Sequence, residues 1–419
     1  MLIQGNFLKP LVKAGQDFRQ ITGRYYQWDP EKPMFQIHQN TFIKSCVVGT
    51  ILGIFQFLNL LLNQHKIKTE NGNISIVATL NTYLTTEFIW FIHYSFSMAY
   101  TGVEFQNFIN AAYKFEQAQS QQMFLALKEK SNKRIMTFTK LNIFMLSHPA
   151  IKVLPFIFAL LFPVITPELP LNTFSLYPGK FLSDMASWIP SNSTLFLPIH
   201  YTTLVVTFIW NWLCYLLLLK GNVLSLIQIL LGNGCLTVYL SIVKRKVKNN
   251  RGRGAKIFNG TNIDATTIYR QIEILVHSFN RAHSGQLVMI LLALLTITVI
   301  CSLSVIKALT SGTFTDPRSF YANCFFAYSV MNSIILLLMV YGLCGNLHQD
   351  ASRCVAEMRR TALTCEPRQR KLLQRTVMAL PVLKIEFGDT NFVEKMTPFV
   401  YLEFALGRII DGLLLSKPK

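Results

Sequence analysis

The sequence predicts an all-α membrane protein with seven transmembrane helices, a cytoplasmic N-terminus and an extracellular C-terminus. Three observations predict this: the composition, seven long apolar runs, and the distribution of lysine and arginine among the loops. Of the 419 residues, 51% are hydrophobic and only 15% are charged, whereas soluble domains carry about 25% charged residues. The mean hydropathy is +0.34. This composition indicates that lipid covers much of the surface.

Runs of about 20 apolar residues are long enough to cross the hydrocarbon core of a bilayer as helices. The predicted spans 1 to 7 are Thr41–Asn63, Ser75–Ser97, Ile143–Ile165, Ile199–Leu219, Gly285–Leu309, Phe320–Cys344 and Asn391–Leu415. The apolar stretch Gly221–Val243 follows span 4 directly. We predict that it continues span 4 as one long helix, because an eighth span would move the basic loops that follow it to the outer face. In span 7, Pro398 is expected to interrupt the helix.

The distribution of basic residues fixes the predicted orientation. With the N-terminus inside, the inner segments contain 29 lysine and arginine residues and the outer segments contain 6. Cytoplasmic loops of membrane proteins carry such an excess of positive charge. The sequons at Asn73 and Asn192 fall in loops assigned to the outside and are predicted glycosylation sites. A third sequon, at Asn259, falls inside and is expected to stay unmodified.

The chain divides into four predicted parts. Residues 1–40 form a cytoplasmic N-terminal segment, and residues 41–344 contain spans 1 to 6 with their cytoplasmic extensions. Residues 345–390 form a cytoplasmic helical anchor segment, and residues 391–419 contain the last span and a short extracellular tail. The long inner loops mix apolar and charged residues in the pattern of amphipathic helices. We therefore expect the inner helical extensions to pack into a cytoplasmic bundle.

No motif indicates an enzyme, a metal site or a bound cofactor. The eight cysteines and eight histidines show neither CxxC nor HExxH spacing, and no GxSxG sequence is present. The basic run that begins at Lys244 lies next to an apolar helix, where contact with anionic lipid headgroups is the expected role. We predict membrane lipid as a partner and no binding to nucleic acid.

Ionisable residues inside membrane spans usually mark function. Glu87 lies deep in span 2, and two interpretations stay open: a ligand pocket, or a carboxyl group satisfied by a hydrogen bond between helices. Aromatic residues occur in the outer halves of several spans, and a cavity opening outward between spans 2 and 6 would suit a small, mostly apolar ligand. The candidate ligand-binding residues are Tyr83, Glu87, Phe156, Tyr201, Phe208, Tyr321 and Tyr328.

Span 7 is the most polar of the seven. It carries Glu403, Arg408 and Asp411, and the last two are spaced i,i+3, so that they can pair on one helix face. A helix this polar cannot face lipid on all sides. It must face protein or water, and a water-lined path is the simpler explanation of several charges.

The C-terminal region resembles the arthropod gustatory and odorant receptor family. The resemblance rests on Tyr341-Gly-Leu-Cys-Gly-Asn, on Pro381-Val-Leu-Lys-Ile-Glu-Phe-Gly and on the amphipathic lead-in to span 5 within Ile268–Ala308. The inverted seven-helix topology is similar too. Gustatory members usually carry Thr-Tyr and Gln-Phe late in the last helix, where this chain has Arg408-Ile409 and Leu415-Ser416. We interpret the chain as a divergent gustatory-type receptor.

The resemblance implies a ligand-gated, non-selective cation channel in the plasma membrane of sensory neurons, opened by a small tastant or odorant. It implies a homo- or hetero-tetramer around a pore lined by span 7. The implied hydrophobic gate is Ile409, Ile410, Leu413 and Leu414, with Asp411 and Ser416 near the mouth.

Two other classes of protein compete with this interpretation. A transporter for a small solute would more often show an internal repeat or paired broken helices, and the sequence has neither. A G-protein-coupled receptor requires an extracellular N-terminus, against the charge distribution. It would also carry an Asp/Glu-Arg-Tyr end on helix 3 and Asn-Pro-x-x-Tyr in helix 7, which are absent.

Overall fold

A computed structural model of the chain describes residues 26–29, 34–69, 76–120, 196–251, 258–312, 317–363, 367–388 and 391–415. Most of these residues are helical. The helices are α1 (Gln39–Thr69), α2 (Ile76–Ala118), α3 (Phe196–Arg251), α4 (Phe258–Thr310), α5 (Pro317–Leu363), α6 (Pro367–Met378) and α7 (Thr397–Leu415). The strands are β1 (Tyr26–Asp29), β2 (Met34–Ile37), β3 (Glu386–Phe387) and β4 (Asn391–Phe392). They form two antiparallel pairs, β1 with β2 and β3 with β4.

The helices reproduce most of the predicted spans. Spans 1, 5 and 6 lie inside α1, α4 and α5, and span 2 lies inside α2 from Ile76 onward. Span 3 and both predicted glycosylation sites, Asn73 and Asn192, lie outside the described residues. In the described part of the chain, three helices are long and apolar enough to cross a membrane. They are Gly221–Lys248, Ala265–Thr310 and Phe320–Leu363.

The predicted fusion of span 4 with the apolar stretch after it is confirmed. The helix α3 runs without a break from Phe196 to Arg251. Of the most apolar window in Gly221–Lys248, 94% is buried inside the protein. A helix that is apolar all round must be buried in protein or in lipid. Here protein packing accounts for the composition, because α2, α4 and α5 all contact this half of α3.

The predicted start of span 7 was wrong. Residues 391–396 are not helical: Asn391 and Phe392 pair with β3, and α7 begins at Thr397. Pro398 therefore occupies the first turn of α7, where a missing N–H costs no hydrogen bond. Thr397 fixes this start, because its Oγ1 accepts the Glu394 N–H at 2.8 Å and its N–H donates to the Glu394 carbonyl at 3.1 Å.

The described structure is mostly helical, as predicted, and it also contains two short antiparallel strand pairs that the sequence did not indicate. The β1–β2 hairpin lies within the segment that we predicted only as an N-terminal extension. Side chains of α2 form hydrogen bonds to the backbone of β2, at the edge that does not pair with β1. The Asn110 side chain accepts the Phe35 N–H at 2.8 Å and donates to the Phe35 carbonyl at 3.1 Å. Gln106, one turn earlier, accepts the Ile37 N–H at 3.1 Å. Two amide side chains thus replace the backbone of a third strand.

The buried side chains form two clusters. The larger cluster, on the predicted inner side, joins the β1–β2 hairpin to α2, α3, α4, α5 and α7. The smaller outer cluster joins α1, α2, α4 and α5 and consists of Leu52, Leu80, Leu84, Phe88, Phe91, Ile297, Cys301, Ala322 and Phe326. Close packing of α1, α2 and α3 depends on glycine, because the Phe91 ring fills the space that a side chain at Gly49 or Gly221 would need.

Candidate ligand site and pore helix

The Glu87 carboxylate lies between α2 and α3, beside the outer cluster. It accepts a short hydrogen bond from Asn222 Nδ2 of α3, and it also accepts one from the Tyr83 hydroxyl one turn earlier on α2. Asn222 is 6% exposed, and its Oδ1 has no hydrogen-bond partner in the described structure. Two oxygen acceptors, one of them unpaired, therefore lie together in an apolar environment.

Aromatic rings surround this pair of acceptors. The Tyr83 ring meets the Phe325 ring of α5 edge to face, with centroids 5.4 Å apart. Phe88 and Phe326 are buried behind them in the outer cluster, while Tyr83, Glu87 and Phe325 each keep part of their surface exposed. These partly exposed side chains place a small polar group within an apolar surface, a combination that is typical of small-molecule sites. We refer to this place between α2, α3 and α5 as the recess.

The other predicted ligand residues are distributed differently. Tyr321 and Tyr328 are each 59% exposed on α5, away from the outer cluster. Tyr201 and Phe208 lie on the first half of α3, where only the course of the helix is described, and Phe156 lies outside the described residues. The structure thus brings Tyr83 and Glu87 together and adds Asn222 and Phe325, which were not among the predicted residues.

A second polar group lies further along α2 and α3. The hydroxyl groups of Tyr26 in β1 and Tyr94 in α2 are 2.8 Å apart, and Gln228 Nε2 donates to both, at 3.1 Å to Tyr94. All three side chains are fully buried. The N-terminal hairpin is therefore joined to two helices by a hydrogen-bond network inside the larger cluster, and Phe35 stacks on Tyr26 at 5.5 Å.

The helix α7 has two distinct faces. One face packs on α4 and α5 and contains the buried Pro398, Ala405 and Ile409. Gly412 continues this face, because a Cβ there would lie 2.9 Å from Leu303 of α4. The opposite face is exposed in the single chain, with Phe399, Val400, Glu403, Phe404, Leu406, Arg408, Ile410, Asp411 and Leu414.

The residues predicted to line a pore are divided between these faces. Ile410 and Leu414 are 56% and 60% exposed, and Asp411 lies beside them. Ile409 is only 8% exposed and Leu413 is partly buried, so both belong to the packed side. Ser416 lies outside the described residues. The predicted pairing of Arg408 with Asp411 is confirmed, with Nη1 and Oδ2 at 3.3 Å.

Two side chains of α4 form hydrogen bonds to the backbone of the segment that precedes α7. The Asn280 side chain of α4 donates to the Lys384 carbonyl at 3.0 Å and accepts the Glu386 N–H at 3.1 Å. Tyr269, three turns earlier, donates to the Pro381 carbonyl at 2.8 Å. Burial raises the pKa of Tyr269 well above the usual range, so the hydroxyl keeps the proton that it donates. The segment before α7 is thus fastened along one side of α4.

Gly345 of α5 lies against the same segment. A Cβ at this position would lie 2.6 Å from the backbone of Glu394 and Lys395, so that only glycine permits the approach. Three rings complete the contact: Tyr341 of α5, Phe387 of β3 and Tyr401 of α7 have centroids 6.2 to 6.3 Å apart. We call these residues the pre-α7 junction, and it includes residues of two of the segments on which the family resemblance rests, those that begin at Tyr341 and at Pro381.

The fold and this site define a class: a helical membrane protein with a polar recess inside an apolar helix bundle and a charged C-terminal helix of membrane length. The chain has the fold of insect olfactory receptors. It matches the structure of the insect olfactory receptor OR5 from Machilis hrabei with a TM-score of 0.63 and 12% identity, over 97% of this chain and 98% of the other. The structure of that receptor in complex with eugenol matches with a TM-score of 0.61 and 11% identity, over 98% of both chains.

The predicted resemblance to insect-type chemoreceptors is therefore confirmed in the fold. Both matched structures are of an insect olfactory receptor. No family model and no curated protein matches the sequence.

Some residues of the site gave only a weak signal in the sequence. Asn222 and Gln228 are polar residues in the most apolar stretch of the chain, and that contrast is the sign of a buried hydrogen-bond network. Tyr341, Phe387 and Tyr401 are separated by up to sixty positions of sequence and share no spacing. Their contact depends on the turn before α7, where Gly388 adopts a positive φ of 65°.

Proposed function

We propose that this protein is a chemosensory receptor of the arthropod gustatory and odorant family that acts as a ligand-gated, non-selective cation channel. The pore would be formed by α7 from four subunits, identical or related. The fold and the family resemblance of the pre-α7 junction support this proposal. The gustatory type is proposed from the sequence resemblance alone.

The observation that carries the proposal is the exposed face of α7. The helix has 19 residues, which corresponds to about 28 Å and matches the hydrocarbon core of a bilayer. Its exposed face nevertheless carries Glu403, Arg408 and Asp411. Charged side chains in hydrocarbon are costly and almost always face a protein interior or a water-filled cavity. A central pore surrounded by several copies of α7 gives all three residues such a position.

The same face suggests how the pore closes and selects ions. Ile410 and Leu414 are one turn apart and both exposed, so a ring of each would form a hydrophobic constriction that gates by dewetting. Asp411 would form an acidic ring beside it and favour cations. Ser416 would lie near the outer mouth. We leave Ile409 out of the pore because it packs within its own subunit, and Leu413 lies at the edge of that packed side.

We propose seven membrane crossings, with the N-terminus in the cytoplasm and the C-terminus outside, in the plasma membrane of sensory neurons. In this arrangement the inner ends of α2 to α5, together with α6, form a cytoplasmic bundle that holds the subunits together. The basic residues at the inner ends would contact anionic lipid headgroups. Antibody access to a C-terminal epitope tag in intact cells tests the orientation, and labelling only after permeabilisation would overturn it.

The proposed ligand is a small tastant or odorant that binds in the recess beside Tyr83 and Glu87. The Tyr83 and Phe325 rings beside one polar wall would fit a molecule with an apolar body. The matched olfactory receptor has a structure in complex with eugenol, a molecule of that kind. Residues of the first half of α3 and of span 3 are proposed to complete the site, with Phe156, Tyr201 and Phe208 among them.

The substitution Asp411→Asn tests the channel. It removes the acidic ring and leaves Arg408 without its partner, so we expect lower permeability to divalent relative to monovalent cations and altered rectification. The variant Glu394→Gln removes an exposed acid just before α7 and serves as the control. Unchanged permeability and rectification in Asp411→Asn would refute the role of this ring.

A further inference from the structure

The polar wall of the recess contains acceptors in excess of donors. Glu87 accepts hydrogen bonds from Asn222 Nδ2 and from the Tyr83 hydroxyl, so both nearby donors are already used. Asn222 Oδ1 remains without a partner although the residue is 6% exposed. A buried acceptor that is left unpaired is costly, and buried polar groups in native proteins normally have partners. The described side chains therefore supply no donor to Asn222 Oδ1.

Among the described side chains, no positive charge lies beside this wall either. Within the described part of the chain, lysine and arginine pair with Glu104, Glu273, Asp350 and Asp411, and none of them pairs with Glu87. Burial among apolar side chains disfavours the charged form of a carboxyl group, so a positive charge placed beside Glu87 would stabilise its carboxylate. The rings of Tyr83 and Phe325 lie beside it, and aromatic faces attract cations.

We propose that the recess binds protonated amines: small molecules with one ammonium group on an apolar or aromatic body. The inference rests on the proposed function, since it specifies the ligand class of the same receptor. The ammonium N–H groups would bond to Glu87 and to the unpaired Asn222 Oδ1, and the charge would neutralise the carboxylate. The body would pack against Tyr83, Phe325 and the outer cluster behind them.

Binding to the purified receptor in lipid nanodiscs tests this inference without any need for channel current. The probes are 2-phenylethylamine and 2-phenylethanol, which share a body and differ in the charged head. We expect the amine to bind the wild-type protein at least about tenfold more tightly than the alcohol, because a hydrogen-bonded charge pair contributes more than a neutral hydrogen bond.

The variant Glu87→Gln keeps the shape of the side chain and removes its charge. We expect it to weaken amine binding at least about tenfold and to change alcohol binding by less than about threefold. Glu104→Gln is the matched control, since Glu104 lies on the same helix and pairs with Arg281 at 3.9 Å, far from the recess. Asn222→Ala is a second variant, expected to weaken amine binding severalfold should Glu87→Gln fail to fold.

Equal binding of amine and alcohol by the wild-type protein would overturn the inference. So would unchanged amine binding in both Glu87→Gln and Asn222→Ala. The result is separable from the proposed channel. Amine binding that depends on Glu87 but evokes no current would refute the channel and support this site. Currents evoked by other ligands without amine binding would refute this site and support the channel.

Discussion

The close approach of α5 to the segment before α7 makes Gly345→Ala an informative substitution. The added Cβ would lie 2.6 Å from the Glu394 carbonyl carbon and oxygen and from the Lys395 Cα. These are backbone atoms held by the Thr397 start of α7, so no side chain can rotate away. Either α5 or the 391–396 segment must move.

The size of the effect follows from the geometry. An ordinary contact of a Cβ is 3.4 to 4 Å, so the two segments must separate by about 1 Å. Overpacking of this kind costs about 1–3 kcal/mol. Alanine also stabilises a helix by about 1 kcal/mol relative to glycine, and the net effect of the substitution alone is therefore ambiguous.

A second variant, Gly342→Ala, separates the overpacking from the gain in helix propensity. Gly342 lies three residues earlier on α5, and a Cβ there would have no atom within 4 Å. Gly342→Ala should therefore gain the helix propensity of alanine without any steric clash of the added Cβ. The difference between the two variants isolates the overpacking, and we expect Gly345→Ala to be less stable than Gly342→Ala by about 1–3 kcal/mol.

The assay is thermal melting of both variants in the same detergent, followed by size-exclusion chromatography. We expect Gly342→Ala to melt at or above the wild-type temperature and Gly345→Ala to melt below Gly342→Ala. Equal melting of the two variants would refute the argument, because it would mean that the junction before α7 accommodates a methyl group. In the channel assay, Gly345→Ala should also shift the ligand concentration for half-activation, since the displaced segment leads directly into α7.

Three further predictions concern other parts of the molecule. Asn110→Ala should speed hydrogen exchange of the β2 segment, because it leaves the buried N–H and carbonyl of Phe35 unpaired at a cost of about 1–3 kcal/mol. Tyr401→Leu should lower the melting temperature, since it removes two ring contacts worth about 0.5–1.5 kcal/mol each, whereas Tyr401→Phe should not. Burial raises the pKa of the Cys354 thiol to about 12, so its alkylation by a maleimide should stay slow between pH 7 and 9 and should still rise about tenfold per pH unit at pH 9, because the thiolate fraction is far from saturation there.

Each of these predictions has a result that would contradict it. Exchange of β2 in Asn110→Ala that equals the exchange in Lys114→Ala, an exposed position one turn further on α2, would mean that the hairpin does not depend on the amide. Equal melting of Tyr401→Leu and Tyr401→Phe would mean that the rings contribute little. Alkylation of Cys354 that is as fast as in the denatured protein and levels off toward pH 9 would show an accessible thiol of ordinary pKa.

The helices were predictable from the sequence because their signal is continuous. Spans of about 20 apolar residues predicted α1, α2, α4 and α5, and the charge distribution alone predicted that α3 continues beyond Leu219. Span 7 was predicted to begin at Asn391, six residues before the observed start of α7 at Thr397, although Pro398 is a residue typical of a helix start. Hydropathy is averaged over about 20 residues, whereas the start of α7 is set locally, by the hydrogen bonds between Thr397 and Glu394 and by Pro398 in the first turn.

The hairpins and the site were less predictable. The β1–β2 hairpin depends on Asn110 and Gln106, whose side-chain bonds to a distant backbone leave no periodic pattern. Glu87 could be singled out because a carboxyl group in an apolar run is rare. Its partner Asn222 lies 135 positions away, and only the fold brings the two together.

The attachment of the N-terminal hairpin also sets an order of events during synthesis. Asn110 follows Phe35 by 75 positions, but Gln228 follows Tyr26 by 202. At about 5–20 residues per second, the ribosome needs about 10–40 s to supply Gln228 after Tyr26 has been made. Asn110 and Gln106 can bond the strand edge well before that time, but the Tyr26 hydroxyl still lacks its Gln228 partner, and the Tyr26 and Phe35 rings lack the packing that α3 and α4 complete. The earliest part of the described chain is therefore among the last to reach its final place, and it requires protection from aggregation until α3 is inserted.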